Sequence, residues 1–119
     1  MHYNRLMKYV DAKLTLDEIL QIRKDFGDYV KVTVDILNNR LIVGCELHAD
    51  GEAILLEKGG KQDDIWGGGV DFTNNSIKTF AMLNIRPRLD NDSMEILDSK
   101  IKAEFNKVVK DLFENLWTI

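Results

Sequence analysis

"YVKVTVDILNNRLIVGCELHADGEAILLE", Tyr29 to Glu57, is the stretch on which the fold turns. Its first part has period two. Val30, Val32, Val34 and Ile36 alternate with Lys31, Thr33 and Asp35, the pattern of a strand with one buried face. Asn38-Asn39 tolerates positive φ and predicts a two-residue hairpin turn. That turn would pair Ile36 with Leu41, Val34 with Val43, Val32 with Cys45 and Val30 with Leu47, all apolar. On the reverse face Lys31 would meet Glu46, an opposite-charge pair. A slip of one residue would turn every apolar side chain outward. Asp50-Gly51 is a type I′ turn signal and predicts a second hairpin, its third strand running through Ala53, Ile54, Leu55 and Leu56. Tyr29, Leu37, Ile42, Ala53 and Leu55 would make the reverse face apolar too, for another segment or a second subunit to cover.

Upstream, "LTLDEILQIRKDFGD" carries helix punctuation. Thr15 and Glu18 have capping-box spacing, Leu14 and Ile19 that of a hydrophobic staple, and Gly27 suits the position past the end. The helix expected is Leu16 to Phe26. Downstream, five of the chain's eight glycines fall between Gly59 and Gly69, which reads as a mobile or specially shaped loop. "VDFTNNSIKTFAMLNIR" returns to strand, with a turn near Asn74-Asn75 and one face on Ile77, Thr79, Ala81, Leu83 and Ile85. Pro87 ends it, and "MEI" suggests a further short strand. "DSKIKAEFNKVVKDLFENLW" is an amphipathic helix with Asp98 as N-cap and a stripe of Ile101, Phe105, Val108, Val109, Leu112, Phe113 and Leu116. These elements predict an α+β fold: a two-layer sandwich of about five mostly antiparallel strands with two helices on one face, in a single domain spanning 1–119.

The formal net charge is -4 and the pI about 5.1, which argues against general nucleic-acid binding. Cys45 is the only cysteine, so no intramolecular disulfide and no cysteine-based zinc site can form. No apolar run reaches the ~20 residues of a membrane span, and "MHYNRLMKYVDAK" has no secretory h-region. The expectation is a cytoplasmic protein without cofactor or metal.

Three places could carry chemistry. Glu46, His48, Asp50 and Glu52 lie within seven residues, but the derived register scatters them. His48 would lie opposite Tyr29, and as an acid or base it would titrate near neutrality. The glycine-rich stretch fits neither GxxxxGK[ST] nor GxGxxG. Its Trp66 either plugs the core or waits for a ligand or partner. "NIRPRLDNDSME" places Arg86 and Arg88 near Asn84 and Ser93. Paired guanidinium forks suit a carboxylate or phosphate, or else salt-bridge locally to Asp90, Asp92 or Glu95, or across space to Asp63 and Asp64.

With "ELHADGEAILLEKGGKQDDIWG", "LNIRP" and "SMEILD" in this order, the chain resembles a family of small prokaryotic proteins known only as a domain of unknown function. The likeness runs from about Leu14 to Leu116. Glu46, His48, Asp50, Gln62, Asp63, Trp66, Gly67, Asn84, Arg86, Pro87, Ser93 and Glu95 match its pattern. Gly51 after "HAD", and "GGVD" after Trp66-Gly67, depart from it. The resemblance implies no activity.

Two readings of function follow. One is a homo-oligomeric binding or interaction domain, dimeric through the Tyr29, Ile42 and Leu55 face. A small anionic ligand or a partner would then meet Gln62, Asp63, Trp66, Asn84, Arg86, Arg88 and Ser93. The other is a hydrolase or nuclease-like phosphodiesterase, with His48 as acid or base, Glu46 orienting it and Arg86 stabilising negative charge. The second requires His48, Trp66 and Arg86 to share one cleft. A toxin-like ribonuclease is disfavoured by the acidic pI.

Overall fold

A computed structural model describes residues 7–118. Residues 1–6 and 119 lie outside it, and with them the start of the stretch read above for a secretory signal. The elements are β1 (Lys8–Val10), α1 (Leu16–Phe26), β2 (Tyr29–Asp35), β3 (Arg40–Val43), α2 (His48–Glu57), β4 (Ile65–Asp71), β5 (Ser76–Lys78), α3 (Ser99–Leu112) and α4 (Glu114–Trp117). Three 3-10 turns, Gln62–Asp64, Met82–Asn84 and Pro87–Leu89, punctuate the second half. The strands form one antiparallel sheet in the order β1-β3-β2-β4-β5, an α+β arrangement.

α1 forms over the expected residues for the expected reason. The Thr15 amide donates to Glu18 Oε1 at 2.9 Å, and the Glu18 amide donates to Thr15 Oγ1 at 3.1 Å. Leu14 and Ile19 are both buried, as a staple requires. α3 starts after Asp98, whose carboxylate accepts from the amides of Lys100 and Ile101. The apolar faces of α1 and α3 lie on Val30, Val32, Val34, Leu41, Val43, Trp66 and Val70, which share one side of the sheet and form the main core.

The first hairpin keeps its faces but not its register. Val34 pairs with Leu41 and Val32 with Val43, two residues from the expected pairing. The connection is four residues long because buried Asp35 organises it. Its carboxylate accepts from the Asn38 amide, from Asn38 Nδ2 and from Arg40 Nε, with Asn39 at φ 52°. A slip of two leaves each side chain on its own face. Lys31 consequently donates to the backbone oxygen of Glu46, at 2.6 Å, rather than facing its carboxylate.

The second hairpin does not exist. Asp50-Gly51 lies inside α2, which crosses the other face of the sheet. Asp50 Oδ2 accepts from the Leu47 amide at 3.3 Å, a capping role instead of a turn role. Gly51 lets the helix approach. A Cβ there would lie 2.5 Å from Thr33 Oγ1. The run of apolar residues on both parities was a helix signature. Leu55 joins Ile42, Cys45 and Ile65 in a second core beneath α2. Each fully buried branched side chain there contributes roughly 2 kcal/mol. This corrects the expected dimer face. Ile42 and Leu55 are 1% and 0% exposed within the single chain, and of that trio only Tyr29 reaches solvent.

The glycine-rich stretch is also corrected. Ile65–Asp71 is an interior strand, hydrogen-bonded to β2 on one side and β5 on the other. Its glycines remove side chains where neighbours come too close. A Cβ on Gly67 would meet Ala81 Cβ at 2.8 Å and His48 Cδ2 at 2.9 Å. One on Gly68 would meet Lys78 O at 2.1 Å and Phe105 Cζ at 2.7 Å. The turn near Asn74-Asn75 forms as expected, but β5 stops at Lys78. Met82–Asn84 leaves the strand pattern, and Pro87 opens a 3-10 turn. The chain then returns through bridges Arg86↔Asn91 and Phe80↔Glu95, the second involving the expected "MEI" segment.

Candidate functional site

The residues singled out from sequence divide into those that hold the fold and one that faces open space. Trp66 is 1% exposed and belongs to the main core, its Nε1 donating to the Asp63 carbonyl at 3.1 Å. It is a plug. Arg86 is buried and paired. Nη1 donates to the Gln62 carbonyl at 2.9 Å, Nη2 to Glu52 Oε2 at 3.0 Å, and the guanidinium lies 4.9 Å from the Trp66 ring centre. Burial pushes its pKa down, while Glu52 and Asp63 oppose the shift. Arg88 is ion-paired with Asp63, whose carboxyl it holds below the usual range. An anion at these arginines would have to displace Glu52 or Asp63.

Asn84 is a buried knot. Its Oδ1 accepts from the Gly67 amide at 2.8 Å, and its Nδ2 donates to the carbonyls of Gly67, Met94 and Thr79 at 2.9, 3.0 and 3.3 Å. Asn91 repeats the device against Asn84, Ser93 and Glu95 carbonyls and the Leu97 amide. Ser93 Oγ accepts from the Glu95 amide. These side chains replace the regular ladder that the chain abandons after Lys78. Glu46 is exposed and supplies only its backbone oxygen to Lys31.

His48 differs. It is the first residue of α2, and its ring lies on the open face of Gly67. Nε2 is 2.7 Å from the Gly68 carbonyl. A carbonyl only accepts, so Nε2 carries the proton and the neutral ring leaves Nδ1 as an unprotonated acceptor. Burial pushes the His48 pKa below its ordinary value, Lys31 pushes the same way, and the Gly68 bond works against both. Among the described residues Asn106 Oδ1 is the one buried side-chain polar atom without a partner. Nδ1, which makes no hydrogen bond, is therefore not sealed in the interior.

His48 borders a cleft of about 350 Å³ between the start of α2 and the Met82–Asn84 turn. The walls are mainly apolar: Leu47, Phe80, Met82, Leu83 and Met94. Tyr29, Lys31 and His48 supply the polar side chains. Leu47, Phe80 and Met82 are 60%, 52% and 73% exposed. Tyr29 and His48 do share this cleft, although through a helix and not a hairpin. Trp66, Arg86 and Glu46 do not line it. From sequence Met82 reads most simply as core and Phe80 draws no notice, whereas Met82 is largely exposed on the cleft rim. The available signal was "FAML", Phe80 to Leu83, apolar on both parities where a half-buried strand would alternate. Among the described residues no group of three or more His, Cys, Asp or Glu could hold a metal, and no helix is long and apolar enough to cross a membrane.

Fold and site together define a small α+β domain whose antiparallel sheet carries helices on both faces and an apolar cleft at the start of α2. The chain belongs to the family described as "Protein of unknown function (DUF5674)", whose model matches residues 8–112. This is the kind of family to which its motifs point. No curated protein and no solved structure matches the chain.

Proposed function

We propose that the protein is a binding module, and that its working site is the cleft between α2 and the Met82–Asn84 turn, where it takes an apolar side chain from a partner protein. The observation that carries this reading is the rim. Leu47, Phe80 and Met82 are large, apolar and more than half exposed around one concavity. Clustered apolar exposure of this kind is costly in water and characteristic of interaction sites. A free small molecule in about 350 Å³ would leave the outer parts of Leu47 and Met82 wet, whereas a protein surface would cover them. The residues first suspected of catalysis support binding by default. His48 borders the cleft, Arg86 is occupied by Glu52, and Glu46 faces solvent.

The test is a two-dimensional amide NMR titration with toluene, the side-chain analogue of phenylalanine. Shifts should concentrate at Leu47–Ala49 and Phe80–Leu83. The double variant Phe80→Gln, Met82→Gln should lose them with little change in melting temperature, because exposed positions tolerate substitution. Shifts that are absent, or scattered over the surface, would sink the proposal.

A further inference from the structure

We propose that the side chain taken by the cleft is an aromatic one with its own hydrogen-bond donor, tyrosine or tryptophan, and that it donates to His48 Nδ1. This rests on the binding reading above and names its ligand class. Three properties of the site converge on it.

The first is the polar complement. The Gly68 carbonyl holds the proton on Nε2, so the remaining ring nitrogen of His48, a residue of the cleft wall, is an acceptor. A purely apolar occupant would cover that nitrogen and strip its water without replacing the bond. Discrimination between a hydroxylated and a plain ring is largest where the site's own polar group would otherwise go unpaired.

The second is charge. The cleft's formal charge at neutral pH is the Lys31 ammonium, which repels the cationic donors of lysine and arginine. The third is shape and softness. Serine, threonine and asparagine carry donors but too little apolar surface for walls built of Phe80, Leu83 and two methionines. Met82 and Met94 place thioethers beside the space, and sulfur makes favourable contacts with aromatic rings. Among the described residues Tyr29 is the exposed aromatic that bears a donor, and it is part of the cleft wall itself. No exposed aromatic donor of a second copy is therefore free among the described residues, and the occupant we propose is a different protein.

The experiment compares p-cresol and 3-methylindole, analogues of the two side chains, with toluene on the whole protein. The readouts are amide shifts and the nitrogen-15 resonance of His48 Nδ1. The donor-bearing probes should bind about fivefold more tightly or better, a ratio equivalent to roughly 1 kcal/mol. They should also move Nδ1 from its free-acceptor position. Equal binding of toluene and p-cresol with an unmoved Nδ1 overturns this inference but leaves the binding module standing. No binding of any probe overturns both. The preference should vanish in His48→Phe, and its survival there would overturn the assignment to Nδ1. If that variant does not fold, the Nδ1 resonance of the native protein decides alone. A glycine-serine peptide with one central tyrosine should outbind the same peptide with phenylalanine. A preference for free p-cresol without a preference between the peptides would mean a free phenol, not a partner protein.

Discussion

Replacing Asn84 by alanine tests whether one buried amide holds the cleft wall to the sheet. The side chain makes three hydrogen bonds of 3.0 Å or less: one from the Gly67 amide, one to the Gly67 carbonyl and one to the Met94 carbonyl. At about 1 kcal/mol net for each, the loss is about 3 kcal/mol, and more if the Gly67 N–H stays dry and unpaired. For a chain of this size that corresponds to a fall in melting temperature of roughly 12 °C. Urea unfolding gives the free energy and calorimetry the temperature. Ser93→Ala is the internal control, because Ser93 Oγ accepts only from the half-buried Glu95 amide, and it should cost under about 1 kcal/mol. Amide exchange should quicken first at Gly67, which bonds to Asn84, and at Ala81, which donates to the Met94 carbonyl beside it. If Asn84→Ala costs no more than Ser93→Ala, the knot is not what fastens the turn.

Two further outcomes follow from the sheet and the histidine. Gly68→Ala should fail to give a folded protein or lose more than about 3 kcal/mol by urea unfolding, because its Cβ would lie 2.1 Å from the Lys78 carbonyl, which is backbone and cannot swing away. A stable, native-like Gly68→Ala would refute the packing argument for β4. His48 should titrate, by the shifts of its ring protons, below the ordinary histidine value. The unfolded chain then takes up its proton first, so the stabilising contribution is complete above about pH 6.5 and is lost as pH falls from there through the folded value. Lys31 and Tyr29 from β2 share the cleft with it, while β4 meets the ring with glycine and the Met82–Asn84 turn faces it with apolar side chains. A titration at or above the ordinary value would contradict the burial described for the ring.

The parts of this fold that sequence revealed are those with local causes. The α1 boundaries follow from Thr15 and Glu18, and Asp98 starts α3 through its own side chain. The faces of β2 and β3 were legible because parity survives a slip of two. The register was not, since the choice between a two-residue turn and the longer loop depends on Asp35 reaching both Asn38 and Arg40. Asp50-Gly51 misled because the same dipeptide serves two purposes. Asp50 caps a helix and Gly51 yields to Thr33, a contact made across 18 residues of sequence. The glycines of β4 misled in the same way, since what they make room for comes from α2, α3, β5, Ala81 beyond it and Tyr29 of β2. At the site, His48 was visible as a titratable group near a strand partner. Its companions Phe80 and Met82 were not, because the apolar run "FAML" hints that the alternation fails but does not say that the strand ends at Lys78 and leaves them outside.

The glycines of β4 have one more consequence. In an ordinary sheet a strand insulates the two helical layers with a row of side chains on either side. At Gly67 and Gly68 that insulation is missing. The imidazole of His48 rests on one surface of the strand and the ring of Phe105 on the other, with only main chain between them. The cleft and the main hydrophobic core are therefore separated at this point by a membrane one peptide thick. Whatever presses on the histidine from the cleft presses, through that sheet of backbone, on the aromatic centre of α3.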